Sequence, residues 1–189
     1  MKNKIYKVLL IVFGVLFSSN SMSDELSLDA NEVQFNRDTK IVDAIGNVQI
    51  SDTQNNNIFA EKAKYDKKNE LLRSFGPTDI ITSEKFRVQG DDIFYDNSKG
   101  IIYSNSDSVI TDVNGNKIYT KMFNYQVTKK MFFSQGQVKV LDNRDNEYLF
   151  TEIYIDEKKK KIVGSDVKSF FKDWSFKTDE RNEPRFFAN

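Results

Sequence analysis

The stretch VDAIGNVQISD, residues 42–52, decides how the rest of the chain is interpreted, because its pattern returns. Thirty residues later it reads LRSFGPTDIIT, at 72–82, then IYSNSDSVITD, at 102–112, and then FFSQGQVKVLD, at 132–142. A fifth row is degenerate but stays in register. Self-similarity at a fixed period indicates structural units that stack on their neighbours. We therefore interpret the chain as five repeats of thirty residues.

Apolar and polar residues alternate within each row with a period of two, which predicts strands. Polar segments separate the strands and suit tight turns; they are RDTK at 37–40, KKNE at 67–70, NSKG at 97–100 and EKKK at 157–160. Each row therefore predicts a two-stranded antiparallel unit. No segment after the N-terminal apolar run has a convincing helical period.

The alternation changes phase once within each strand, near the Gly46-Asn47 pair and its counterparts in later rows. One extra residue turns every following side chain to the other face of a sheet, and a β-bulge or corner accounts for that change. The alternative is that these glycines merely end strands. The predicted fold is all-β: an open β-jellyroll, or folded antiparallel sheet, with one apolar concave side.

The apolar columns of the repeat are the candidates for the concave side. As inward residues they either pack on one another as core or line a groove. They are Leu28, Val33, Phe35, Ile50, Ile58, Tyr65, Ile80, Val88, Ile93, Tyr95, Ile110, Ile118, Phe123, Tyr125 and Val140.

The N-terminal segment has the pattern of an export signal. Three lysines precede the ten-residue apolar run VLLIVFGVLF, at 8–17, and small Ser21 and Ser23 follow it. This pattern predicts a signal peptide over 1–23, cleaved before Asp24, and an uncleaved anchor is the alternative. We expect one domain over 24–176 and a linker or tail over 177–189.

The composition excludes several functions. The chain has no cysteine and no histidine, so it cannot hold a disulfide, a Ser-His-Asp or Cys-His nucleophile system, or a zinc site built on these residues. Without the signal lysines, acidic residues outnumber basic ones by three, which gives no electrostatic case for nucleic acid. The aspartates beside the turns, such as Asp66, are interpreted as turn caps. We expect no catalytic residue, metal or cofactor.

The stretch LSLDANEVQFNRDTKIVDAIGNVQI, at 26–50, resembles the OstA/LptA-type periplasmic lipopolysaccharide-transport domain. The pattern L-x-A-x-x-V-x-F, a polar turn and A-x-GNV-x-I carry the resemblance, and IFAEKAKYD at 58–66 and SQGQVKV at 134–140 echo it. That domain is a β-jellyroll, and the resemblance covers essentially all of 26–172. The tail, with Asn182, Glu183, Pro184 and Arg185, is similar to the linker after the N-terminal jellyroll of LptD-type proteins; a disordered polar terminus is the alternative.

The resemblance implies a non-enzymatic periplasmic module that shields the acyl chains of lipopolysaccharide in an apolar groove formed by the fifteen inward residues above. It also implies an LptA-like jellyroll partner at the N-terminal edge, formed by Leu26, Leu28, Asn31, Gln34 and Phe35. An LptD-like chain would associate with the outer membrane, and its partners would include a barrel or the lipoprotein plug of that barrel. The alternatives are a stand-alone LptA-like bridge and a structural β-solenoid without a ligand.

Overall fold

The computed structural model describes residues 26–53 and 55–172, which form strands, turns and loops without a helix. The predicted all-β class is therefore confirmed for this part of the chain. No helix with the length and hydrophobicity needed to span a bilayer occurs in these two ranges. The predicted signal peptide, the tail over 177–189 and its Asn182–Arg185 motif lie outside the described residues.

Fifteen strands join into one antiparallel sheet. They are β1 (Ser27–Asp29), β2 (Glu32–Asn36), β3 (Ile41–Ser51), β4 (Asn57–Asp66), β5 (Leu71–Ile81), β6 (Arg87–Asp91), β7 (Phe94–Asp96), β8 (Ile101–Ser104), β9 (Ser108–Thr111), β10 (Lys117–Thr120), β11 (Phe123–Gln126), β12 (Met131–Leu141), β13 (Glu147–Asp156), β14 (Lys161–Ser165) and β15 (Lys168–Phe170).

The sheet has two walls that meet along a corner. Wall A contains β1, β6, β9, β10 and β15, and wall B contains β2, β7, β8, β11 and β14. The long strands β3, β4, β5, β12 and β13 run through both walls. For example, the first half of β3 pairs with β2 and its second half with β1. A long strand, or two short strands end to end, forms one rung of the stack.

The pairing pattern closes in the middle of the molecule. One half of β5 pairs with β7 and the other with β6, and β12 likewise pairs with β11 and β10. The path β5-β6-β9-β10-β12-β11-β8-β7 therefore returns to β5 and surrounds the break between the two walls at the corner. The sequence predicts an open folded sheet, whereas the breaks in the central rungs let each wall pair separately and close this path. The outer rungs pair on one side only among the described strands.

The corner lies where the sequence predicts it. The register of β3 with β4 shifts between Ile45 and Val48, and that of β12 with β13 shifts between Gln135 and Val138. Gly46 and Gly136 have φ angles of 78° and 95° there, a conformation that glycine adopts without steric cost. Because β3 and β12 continue beyond the shift, these glycines bend strands and do not end them.

The turns between rungs in wall B occupy 37–40, 67–70, 97–100, 127–130 and 157–160. At the second of them the Asp66 carboxylate accepts bonds from the backbone N–H groups of Lys68 and Asn69, at 2.9 and 3.1 Å. Asp96 and Asp156 accept equivalent bonds from Lys99 and Lys159. These aspartates therefore cap turns, as the sequence predicts.

Candidate functional site

The inner face of wall A carries an apolar column that crosses the first eight rungs, from β1 to β12. Register partners bring its members side by side, and Ile50 and Ile80 are each 1% exposed. The column continues across the stack because each residue pairs with the next one in the neighbouring strand. Its members are Leu28, Ile50, Ile58, Ile80, Val88, Ile110, Ile118 and Val140.

Wall B faces this column with aromatic and aliphatic side chains. Ile93 and Phe123 are buried near the corner. Tyr65, Tyr95 and Tyr125 lie farther out, with Tyr95 buried and the other two packed against the core. The two walls therefore enclose an interior that is apolar on both sides.

The tyrosine hydroxyls reach the polar turns of wall B. Tyr95 donates a hydrogen bond to Asn97 at 3.0 Å, and Tyr125 donates one to Glu157 at 3.1 Å. Burial raises the pKa of Tyr125 above its ordinary value, and the Glu157 carboxylate raises it further. Burial also raises the pKa of Glu157. This border of the interior thus has apolar rings inside and hydrogen-bonding groups at the surface.

Buried hydroxyl groups line the corner and take the place of ladder hydrogen bonds where the central rungs break. The Ser74 hydroxyl donates to the Ile93 carbonyl at 3.2 Å and accepts from the Ile93 N–H at 3.0 Å. Ser104 donates to the Asp91 carbonyl at 3.0 Å, and Ser134 to that of Met122 at 2.8 Å. Because a buried polar group without a partner is costly, these serines stabilise the corner.

A small cavity lies at the mouth, which we define as the side of the interior opposite the corner. Asp52, Asn56 and loop 82–86 of wall A border the mouth on one side, and turn 127–130 of wall B borders it on the other. The cavity has a volume of about 100 Å³. Its apolar lining residues are Leu26, Ile50, Ile58, Ile80, Tyr95, Ile102, Tyr125 and Val127, and its polar ones are Asp52, Asn56, Thr82, Ser83, Glu84 and Lys130.

The apolar interior reaches the surface at both ends of the stack. At the first rung Val33 and Phe35 are 50% and 49% exposed, although they pair with Ala44 and Val42 on the inner face. At the last rung Ile162, which pairs with Ile155, is 62% exposed. The Lys67 ammonium lies 5.6 Å from the centre of the Phe35 ring, but all three side chains keep about half or more of their surface exposed in the described part of the chain. Both ends therefore present apolar surface.

The two end rungs carry opposite charges. Asp29 and Glu32 lie on β1 and β2, whereas Lys161 and Lys168 lie on β14 and β15. The Asn31 N–H donates to the Gly46 carbonyl at 2.8 Å, toward β3. By the alternation of an antiparallel ladder, the N–H groups of Glu32 and Gln34 point away from β3. The first rung therefore offers backbone donors to an added strand.

The structure brings most of the predicted groove residues together, and it adds others. Leu72, Ile102 and Phe132 are buried beside the predicted tyrosine column, and their own repeating apolar column was a usable signal. Glu84, Val127 and Lys130 at the mouth had no such signal, because they do not belong to a repeating apolar column. Lipid binding by the fifteen predicted groove residues stays a prediction.

Leu26 lines the mouth cavity, whereas Asn31, Gln34 and Phe35 of the predicted partner edge are exposed on or beside β2. Docking at this edge also stays a prediction. Among residues 26–53 and 55–172, no group of three or more acidic side chains is placed to hold a metal ion.

Among solved structures, the chain is similar at low identity to a periplasmic protein. This is LptH of Pseudomonas aeruginosa, described as the LptA-homologous periplasmic component of the lipopolysaccharide transport device. The alignment has 13% sequence identity and a TM-score of 0.33, and it covers 79% of this chain and 96% of LptH. A likeness of this size does not extend to a shared function. No protein-family model matches the chain, and no curated protein matches it either.

Proposed function

We propose that the chain is a periplasmic lipopolysaccharide-binding and transport module, whose apolar interior shields acyl chains and passes them toward the outer membrane. The observation that carries the proposal is the interior itself, which crosses every rung and reaches the surface at both ends through Val33, Phe35 and Ile162. The resemblance of residues 26–50 to the OstA/LptA-type domain supports the same function. The groove consists of the fifteen inward residues, within a jellyroll of five two-stranded units.

The energy of acyl-chain burial fits such an interior. Each methylene transferred from water gains about 0.8 kcal/mol, so ten buried methylenes gain roughly 8 kcal/mol. This is comparable with the whole stability of a domain, about 5–15 kcal/mol. A carrier therefore needs apolar area more than specific polar contacts, and walls lined by isoleucine, valine and tyrosine supply it.

Transport between membranes also requires continuity from one module to the next. The first rung offers outward N–H groups at Glu32 and Gln34, next to exposed Val33 and Phe35. A strand from an LptA-like jellyroll could pair there, with ladder hydrogen bonds giving affinity. The acidic first rung and the basic last rung favour a head-to-tail order, because opposite charges steer association. In an LptD-type protein an outer-membrane barrel or its lipoprotein plug would lie beyond the last rung.

Lipid capture tests the proposal directly. Delipidated protein should retain lipopolysaccharide after incubation and gel filtration, and the bound lipid can be quantified by its phosphate and fatty acids. The Phe35→Asp variant should pass less lipid to an LptA-like acceptor, because it places a charge at the apolar exit. Val113→Asp, at an exposed valine of the 112–116 loop, is the matched control. Absence of lipid retention by the wild-type protein would refute the function.

Docking at the first rung has a separate test. Glu32→Pro together with Gln34→Pro removes two outward N–H groups and leaves those directed at β3, so partner binding should fall while the fold persists. A photo-crosslinker at Gln34 should trap the partner, whereas one at Gln89, an exposed residue of a central rung, should not. Equal trapping at both glutamines would count against docking at this edge.

A structural β-stack without a ligand is the second candidate, and one observation favours it. Most inward residues are buried against each other, and the mouth cavity of about 100 Å³ is small. If the protein is a structural stack, it should retain no lipid at any protein concentration. Both a stand-alone bridge and an LptD-like module should retain lipid. The mass of the native protein in a cell-envelope immunoblot distinguishes these two.

A further inference from the structure

One ion pair joins the two borders of the mouth. Glu84 belongs to the loop between β5 and β6 of wall A, and Lys130 ends the turn between β11 and β12 of wall B. The Lys130 ammonium contacts the Glu84 carboxylate directly, although the two residues are 46 positions apart. The pair therefore ties together the borders that lie farthest from the corner.

The space beneath this pair is too small for a lipid. Ile58 and Ile80 of wall A face Tyr125 and Val127 of wall B around the cavity of about 100 Å³. An apolar cavity of about 150 Å³ holds a single benzene ring. Acyl chains of ten or more carbons can enter through this side only if the two borders separate, and separation breaks the contact between Glu84 and Lys130.

The pair is placed where an anion can replace the carboxylate. Both side chains are more than one-third exposed, and ion pairs at the surface are screened by salt and weak. A second ammonium lies against the same turn: Lys158, from the neighbouring turn 157–160, donates a hydrogen bond to the Thr128 carbonyl at 2.9 Å. Wall B therefore presents Lys130 at the mouth and Lys158 on the neighbouring turn. Glu84 of wall A contacts Lys130 directly, and the Glu157 carboxylate also interacts with Lys130.

We propose that the Glu84–Lys130 ion pair is a latch that an anionic amphiphile opens as it enters from the side. The anionic head pairs with Lys130 and Lys158, which releases Glu84. The borders then separate, and the acyl chain passes between Ile80 and Tyr125. This inference rests on the proposed lipid-carrying function, and it specifies the ligand class as acyl chains attached to a phosphate or another anionic head.

A covalent bridge across the mouth tests the latch. The chain has no native cysteine, so Glu84→Cys together with Lys130→Cys introduces a unique pair, which a short bis-maleimide can bridge; titration of free thiols verifies the bridge. Arg87→Cys together with Thr111→Cys is the matched control, because these register partners both lie in wall A. The probe is dodecyl phosphate below its critical micelle concentration, with binding measured by calorimetry.

Bridging the mouth should reduce binding of dodecyl phosphate at least tenfold relative to the unbridged double variant, whereas bridging the control pair should not change it. Equal binding by the bridged and unbridged mouth variants would overturn the latch. In the wild-type background, Glu84→Gln should speed entry of the probe. Lys130→Gln should abolish the preference for dodecyl phosphate over dodecyl maltoside, and an unchanged preference would refute the role of Lys130.

A parallel measurement with lipopolysaccharide separates the latch from the proposed function. If bridging blocks dodecyl phosphate but the unbridged protein takes up no lipopolysaccharide, the latch is supported and the transport function fails. If bridged and unbridged proteins take up lipopolysaccharide equally, the latch is wrong and the transport function is supported.

Discussion

Truncation of Ile80 tests whether the inner column of wall A holds the fold together. Ile80 is 1% exposed and pairs with Ile58 and Val88 on the inner face. Ile80→Ala removes three carbons, which at about 0.8 kcal/mol each costs about 2.4 kcal/mol of transfer free energy. The residual cavity adds on the order of 1 kcal/mol. We therefore expect the free energy of unfolding to fall by about 3–4 kcal/mol.

The matched control is Ile162→Ala, at a side chain that is 62% exposed on the last rung. Its truncation should cost less than about 1 kcal/mol, because little apolar area leaves the interior. Urea unfolding followed by far-ultraviolet circular dichroism measures both values. For a chain of this size each kcal/mol lowers Tm by roughly 2–4 °C, so Ile80→Ala should also melt clearly earlier. Equal losses for the two variants would refute the assignment of the inner face.

Two further predictions concern the corner and the turns. Gly90→Ala should destabilise the fold by about 1–3 kcal/mol, because the new Cβ would lie 2.5 Å from the Ser108 Oγ. Adding Ser108→Gly should recover part of this loss, as measured by urea unfolding. No recovery would exclude this clash as the cause. Hydrogen bonds from Lys99 and then Ser98 lower the pKa of Asp96, so its contribution to stability is complete above its unfolded pKa of about 4 and is lost as the pH falls through the lower folded value. Asp96→Asn should therefore flatten the dependence of the urea midpoint on pH below about 4, and an unchanged slope would contradict the role of this carboxylate.

The sequence predicts the strands and the corner because both depend on local pattern. Alternation at a period of two places Ile50 and Ile80 inward, and the phase change at Gly46 marks the bend. The buried serines of the corner were also visible in the repeated stretch, whose third position reads Ala44, Ser74, Ser104 and Ser134. Small residues recur there because the two walls approach closely at the corner.

The sequence does not predict how far the two walls close on each other. That distance depends on packing between side chains of different rows, such as Ile80 and Tyr125, and no periodicity encodes it. The contact between Glu84 and Lys130 is missed for the same reason, because the two residues occupy unlike positions in their rows. The central pairing path closes because strands break at the corner in the central rungs. The repeating pattern does not mark which rungs break there, so the sequence does not predict this closure.

The number of rungs determines the length of the molecule. Neighbouring strands lie about 4.8 Å apart, so the ten rungs from β1 and β2 to β14 and β15 span roughly 43 Å. Because each rung pairs only with its neighbours, a duplicated or deleted pair of rungs would change this length by about 10 Å and leave the cross-section as it is. The number of rows therefore sets the length of the molecule, and the side chains within a row set the cross-section of its interior.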